Sequence, residues 1–376
     1  MADELPKKLA CDASEGFSDW LGESGGSVVI STYQAGRVVM VGWNGTQASV
    51  LPRQLPRPMG LASNGSNMAA VCKDEVMFFA DAHALAGHYP EEHSARYDAL
   101  FLPRASYFIG SLDAHDIGFG DDGLWMVNTR FSCLSVLSRA YSFEPRWHPP
   151  FISRLAPEDR CHLNGLAILD GKPRYVTAHG TTDEPGAWRE SKADGGVLID
   201  VESGECAITG LSMPHSPRYH DGKLYMLNSG AGELCLPEPE KGEYEVICAL
   251  PGYTRGMSFA GKYALVGLSQ VRSTHLFDGM GVQGRFGKLH CGVAVVDLES
   301  GKEVGIFEFT DGCDELYDVL FLQGLSMPSI LNHDNPASKR AVTAPDFAYW
   351  LYEKDKAAQS TGLAGTQQPA SEDETT

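Results

Sequence analysis

The sequence lacks any run of eighteen apolar residues, any apolar segment behind its Met-Ala-Asp-Glu-Leu-Pro-Lys-Lys start, and any sustained helical periodicity. The first two absences predict neither a membrane-spanning helix nor secretion by a standard signal, and so a cytoplasmic protein. The third predicts an all-β fold. Basic residues are also few, with 30 Lys and Arg against 49 Asp and Glu and a net charge of −19. Nucleic acids and anionic membranes need a basic footprint, so neither is an expected partner. The nine cysteines are an odd number with no C-x-x-C or other zinc-like spacing, and several sit in strand-like runs such as Ala-Val-Cys72. They are expected to be buried reduced thiols.

What is abundant is glycine, 41 residues, with 21 prolines beside it. Much of the glycine falls at fixed places in a repeat. Six segments open on a small or apolar residue and close on a turn glycine: Gly60 to Gly65, Gly118 to Gly123, Gly165 to Gly171, Pro217 to Gly222, Gly256 to Gly261 and Val319 to Gly324. The gap is five residues in five copies and six in the third, and the openers fall 58, 47, 52, 39 and 63 residues apart. That spacing fits one four-stranded sheet per copy, the unit of a β-propeller, and predicts a six-bladed ring.

The third and fifth copies follow one grammar. Leu166–Leu169 is an inner strand, Asp170-Gly171 a turn, Pro173–Ala178 a second strand, Val197–Val201 a third and Cys206–Leu211 a fourth. Val28–Thr32 resembles a second strand with no inner strand before it. Asp318–Leu322 supplies that inner strand, so N-terminal strands should pair with the C-terminal one and hide the sheet edges. The expected organisation is an N-terminal extension (1–26), the propeller (27–324), a crossing segment packed on it (325–355) and a disordered polar tail (356–376).

In such blades, the turns between first and second strands and between third and fourth lie on one face. Here they are plain turn-formers such as Asn64-Gly65 and Asp170-Gly171. The opposite face receives the segments before inner strands and after second strands, and these hold the reactive types. Before inner strands stand Arg57, His115, Asp116, His162, Asn164, His215, Tyr253, Arg255 and Asp318; after second strands stand Arg130, His179, Trp188, Arg189 and Asn228. A scaffold alone does not sort its histidines and arginines onto one end, so a pocket for a small-molecule ligand is expected there.

His115, Asp116, His162, Asn164, His215 and Asp318 are the candidate catalytic residues. Residues two apart share a strand face, which lets His162 and Asn164, or Tyr253 and Arg255, point together. His215 is offset by one, and needs a bulge at Pro214 or Pro217 to join them. Three imidazoles, His115, His162 and His215, suit one divalent transition metal. The same groups with Asp116 and Asp318 suit metal-free acid–base chemistry equally well. Arg57, Arg130, His179, Trp188, Arg189, Asn228, Tyr253 and Arg255 are the candidate substrate-binding set, and their guanidinium forks suit an anionic ligand. No G-x-S-x-G elbow is present, and no nucleotide cofactor is expected. Isomerisation, lyase chemistry, hydrolysis and metal-assisted oxidation are all compatible with this set, as is a non-catalytic module that binds a peptide or protein.

Several segments resemble a widespread family of propeller-like domains of unknown function, over roughly residues 27–324. They include Ser31–Gly36, His162-Leu-Asn-Gly-Leu-Ala167, Thr177–Glu190, Met213-Pro-His-Ser-Pro-Arg218, Leu227–Leu234, Pro251–Gly256 and Asp311–Asp318. That resemblance implies the fold and no activity. A looser similarity joins the chain to gluconolactonase-like and strictosidine-synthase-like six-bladed propellers, which hold calcium through Glu and Asn or Asp. By that likeness Asn164 and Asp318 would stand for two ligands, but no first-blade Glu motif is present and the histidines suit a softer metal.

Overall fold

Each sheet of the ring begins with a strand lining the central channel and steps outward. The computed structural model describes residues 8–90, 95–270 and 280–351, so the tail assigned to 356–376 lies outside the described residues. Six antiparallel sheets of four blade strands each build a six-bladed β-propeller. Numbered by inner strand, the blades begin at Leu61–Ser63, Ala114–Gly120, Leu163–Leu169, Pro214–His220, Tyr253–Ala260 and Asp318–Gln323.

The repeat works through its closing glycine. Gly65, Gly123, Gly171, Gly222, Gly261 and Gly324 all carry φ between +56 and +99°, the left-handed region that glycine enters without a Cβ clash. Asp170 and Asp221 precede two of them at φ +49 and +47°, as two-residue hairpins with the native strand twist require.

The sixth blade closes the ring. Asp318–Gln323 pairs antiparallel with Gly26–Thr32 in the register Val319 to Ile30, and Arg37–Trp43 and Ala48–Gln54 complete that sheet. Gly26–Thr32 is buried along its whole length because neighbouring blades cover both its faces. The core therefore lies between blades. Val29 and Met40 of the sixth blade meet Met68, Phe79 and Phe101 of the first, and Tyr225 and Leu227 of the fourth meet Val266 and Ala294 of the fifth.

Two further strands lengthen blades at their outer edges. Ala10–Ala13 pairs with Lys302–Asp311, and Pro328–Ile330 runs parallel to Ala99–Phe108. Between the first of these and the ring, the helix Glu15–Glu23 is capped by Ser14 Oγ, which accepts from Phe17 N at 3.2 Å. Its Phe17, Trp20 and Leu21 are buried in the cluster that contains Phe307 and Phe321.

Short side chains stitch adjacent blades near the channel. Hydroxyls at second-strand ends donate to the lead-in of the next blade: Ser31 Oγ to Met59 O at 2.6 Å, Thr129 Oγ1 to Leu163 O at 2.6 Å and Ser269 Oγ to Leu316 O at 3.2 Å. At the inner strands, Asp116 Oδ2 accepts from Leu166 N at 2.9 Å, Ser216 Oγ from Gly256 N at 3.0 Å and Asp318 Oδ2 from Leu61 N at 2.8 Å. The last of these completes the circle from the sixth blade to the first.

Candidate functional site

The inner strands start at one face, and in blades one to four the backbone there is held in sparsely populated conformations. Arg57, Asp113, Asp159, His162 and Met213 before inner strands, Ser216 within one and Ser132 after a second strand all have φ between +46 and +53°. Such conformations persist only where the surrounding structure fixes them.

Seven side chains from blades two to six close a ring around the channel. The ring centroids of Tyr317 and His115 are 5.5 Å apart, those of His115 and His162 4.7 Å, and those of His162 and His179 4.4 Å. His179 and His215 follow at 4.9 Å, and His215 and Tyr253 at 5.7 Å. The guanidinium carbon of Arg255 closes the circle, 5.4 Å from the Tyr253 ring and 4.8 Å from that of Tyr317. The ladder shifts register between His215 and Arg218, which is the irregularity that turns His215 inward.

The imidazoles are oriented from outside. His115 Nδ1 is 2.6 Å from Asp113 O and 2.8 Å from Thr129 Oγ1, whose own proton goes to Leu163 O. His215 Nδ1 is 2.9 Å from Met213 O and 3.0 Å from Ser229 Oγ. A carbonyl only accepts, so both rings carry hydrogen on Nδ1 and a lone pair on Nε2 when neutral. His162 Nδ1 faces both oxygens of Asp159 at 3.0 and 3.1 Å. His179 is fully buried, and neither of its ring nitrogens has a hydrogen-bond partner.

Burial pulls the pKa of His115, His179 and His215 well below the usual 6.5. Neighbouring imidazoles and Arg255 push the same way, so these three are neutral near pH 7. Burial also raises Tyr253 to about 12 and Tyr317 well above 10, so both phenols keep their protons.

Below the ring lies a cavity of about 10 Å³ whose lining includes His115, Asn164, His215, Arg218, Arg255 and Tyr317. Arg218 straddles Asp116, with Nη1 on Oδ2 at 2.7 Å and Nη2 on Oδ1 at 2.9 Å, and stands 4.0 Å from Asp318. Burial raises the Asp318 pKa to about 7, against the pull of Arg218 and with the push of Asp116. Asp116 and Asp318, two of the candidate catalytic groups, thus also tie blades through backbone N–H groups. Asn164 Oδ1 accepts from Thr177 Oγ1 at 2.6 Å, which leaves Nδ2 without a partner.

The candidate binding residues divide by position. Trp188 is buried over His162 at 4.3 Å and donates from Nε1 to Asp159 Oδ2 at 3.1 Å, with Arg189 stacked on it at 4.2 Å. Arg130 pairs with Asp113, and Arg57 donates to Tyr33 Oη at 2.5 Å on the outer rim. Asn228 is committed to its own blade, accepting from Ser212 N at 2.8 Å and donating to Glu233 at 3.0 Å. Arg255 alone among the four arginines belongs to the ring. Among the described residues, no three His, Cys, Asp or Glu side chains are arranged to hold a metal ion.

Reading the sequence for site residues missed Asp159, Arg218 and Tyr317. Two carboxylates on channel-lining strands demand a counter-charge. Arg218, an inner-strand arginine two residues past Ser216, was the available signal for it.

The fold is similar to one in the crystal structure of a nidogen/laminin complex, at TM-score 0.50 and 10% identity, covering 80% of this chain and 99% of that one. It is also similar to a putative oxidoreductase (glucose dehydrogenase) from Thermus thermophilus, at TM-score 0.41 and 15% identity, covering 66% and 90%. Identities this low speak of fold alone. No curated protein matches the sequence. The family model for the domain of unknown function DUF4915 matches residues 15–331, and the chain belongs to that family.

Proposed function

We propose that this chain is a propeller enzyme acting on a small polar, anionic molecule held at the channel mouth. The observation that carries the reading is the closed ring of four imidazoles, two phenols and one guanidinium, with both nitrogens of His179 and Nε2 of His215 unpartnered. A buried polar atom without a partner costs about 1–3 kcal/mol, and a ligand that supplies the partner recovers it. Arg255 favours negative charge on that ligand, and Asp159 holds His162 with Nε2 available as a base.

A second reading, a module that binds a peptide or protein segment across the mouth, is favoured by the narrowness of the channel. The cavity below the ring measures only about 10 Å³, so most of any ligand sits above it. A third use of the same imidazoles, a divalent transition metal on His115, His162 and His215, has Nδ1 anchors for all three rings but no arrangement of the three, as they stand, for holding an ion. Metal-bound histidines need such outer partners. A cytoplasmic location, without nucleic-acid or membrane partners, fits the −19 charge and the nine free thiols.

Thermal-shift screening of tag-free protein against small metabolites, with elemental analysis of the same sample, separates these. The enzyme reading expects a polar anion that stabilises the wild type and fails to stabilise His162→Ala. If no small molecule stabilises the protein and only peptides do, the reading fails in favour of the binding module. Metal at near-stoichiometry, lost in His162→Ala, would establish the metal use.

A further inference from the structure

We propose that Cys291 and Cys313 are a redox pair, and that the disulfide they form under oxidation controls the Arg255 side of the ring. The nine cysteines are free thiols, and among the described residues these two are the one pair in hydrogen-bond contact, Sγ to Sγ at 3.8 Å. They stand 22 residues apart, Cys291 at the entry to Gly292–Asp297 and Cys313 just past the end of Lys302–Asp311. The backbone brings them together. Cys291 O accepts from Phe309 N at 2.7 Å, which continues the ladder between those two strands, and Gly312 at φ +80° then turns Cys313 back toward Cys291.

Cys291 is fully buried and Cys313 is 5% exposed, so Cys313 is the sulfur that a water-sized oxidant reaches first. With hydrogen peroxide as the oxidant, the Cys313 sulfur attacks one peroxide oxygen, the O–O bond breaks, and a sulfenic acid and one water result. The Cys291 sulfur then attacks the Cys313 sulfur, gives up its proton and displaces the hydroxyl as a second water. The two thiols lose two electrons between them and the peroxide gains both. The sulfurs close from 3.8 Å to the disulfide bond length of about 2.05 Å. Buried thiols are poor nucleophiles, so the pair answers sustained oxidation rather than a brief pulse.

The two cysteines end the segments that support Arg255 from either side. Cys291 closes the stretch that begins at Met280, and Met280 and Val282 pack in one cluster with Trp188, Met213 and Tyr253. Cys313 opens the lead-in that carries Tyr317, where Asp314 O accepts from Gln270 N at 2.9 Å and Leu316 N donates to Ser269 Oγ at 3.2 Å. The Arg255 guanidinium carbon stands 5.4 Å from the Tyr253 ring and 4.8 Å from that of Tyr317. A covalent bond between the two segments therefore ties together the supports of both phenols and restrains the guanidinium beside them. Formation of the bond needs no ligand, so its test stands apart from the small-anion reading.

Treatment of the full chain with hydrogen peroxide, then alkylation of the remaining thiols, digestion without reductant and mass spectrometry, tests the pair. The Cys291 and Cys313 peptides should appear joined, lighter by two hydrogens than their sum, and should separate again with dithiothreitol. Hydrogen exchange should slow in residues 280–290 and 313–318 of the oxidised protein, and should not slow in peroxide-treated Cys313→Ser. Should that variant fail to fold, wild type returned to the thiol form with dithiothreitol serves as the unbonded control. The proposal is overturned if both thiols are still alkylated after other cysteines have been oxidised, or if Cys313 goes on to sulfinic acid without bonding to Cys291. A bond that forms and leaves exchange in both segments unchanged also overturns it, because the ring would then be insensitive to the pair.

Discussion

Arg218 holds Asp116 with both arms of its guanidinium, at 2.7 and 2.9 Å, although 102 residues separate them in the chain. The pair spans from the second blade to the fourth and leaves Asp318 of the sixth 4.0 Å from the same cation. Three blades thus share one charge cluster on the floor of the channel.

Removal of that cation strands two buried carboxylates. Arg218→Ala should lower unfolding stability by about 3–5 kcal/mol, the usual cost of breaking a buried ion pair from one side. Urea denaturation measures this, and a loss below about 1 kcal/mol would show the cluster to be incidental.

The raised pKa of Asp318 has a definite sign. Its folded value of about 7 lies above the ordinary 3.8 of an aspartate, so the native state holds this proton more tightly than the unfolded chain does. The resulting stabilisation is complete below the unfolded pKa and is lost as pH rises to about 7. Relative to Asp318→Asn, the wild type should therefore lose stability from about pH 4 to about pH 7, as followed by denaturation at each pH.

The histidines act in the opposite direction. His115, His179 and His215 have folded pKa values below 6.5, so their contribution holds above that pH and is lost as pH falls. Each should cost about 1.4 kcal/mol per pH unit once the unfolded chain begins to protonate. His179→Phe should fold as well as the wild type at pH 7, because a ring of similar shape replaces two unpartnered nitrogens. Its acid limb should be shallower by one histidine, and a variant limb as steep as the wild-type one would contradict the assignment.

Gly165 tests the packing of inner strands. A Cβ there would lie 2.4 Å from Thr177 Oγ1, 2.5 Å from Pro217 Cδ and 2.9 Å from Ser216 N. Gly165→Ala should cost about 1–3 kcal/mol through overpacking between the third and fourth blades. A melting temperature unchanged from wild type would indicate that these blades move apart freely.

The ring architecture was legible because a propeller repeats a local event, a hairpin closed by a left-handed glycine, and local events leave local spacing. Period two paired His162 with Asn164 and Tyr253 with Arg255; in the structure Asn164 and Arg255 line the cavity, while His162, at φ +52° outside its strand, and Tyr253 stand in the ring above it. Asp159 was missed, because it reaches His162 from a loop residue at φ +48° rather than from strand alternation. Arg218 belongs to a motif visible in the sequence, but its partner lies two blades away and no spacing encodes that distance. Asn228 follows a second strand as the pattern demands, yet turns to Ser212 and Glu233 of its own blade. Spacing locates a backbone position; it does not say which way a side chain at a strand end turns.

The central claim is that the imidazole ring contacts the ligand, and comparison of small molecules retained by wild type and by His179→Phe tests it most directly. Both proteins would be equilibrated with the same pool of polar metabolites, separated from it, and their bound fractions identified by mass spectrometry. The account predicts a small polar anion retained by the wild type and lost, or weakened at least tenfold, in an equally stable variant. Equal retention by the two proteins would contradict it, because the ligand would then bind without touching the ring.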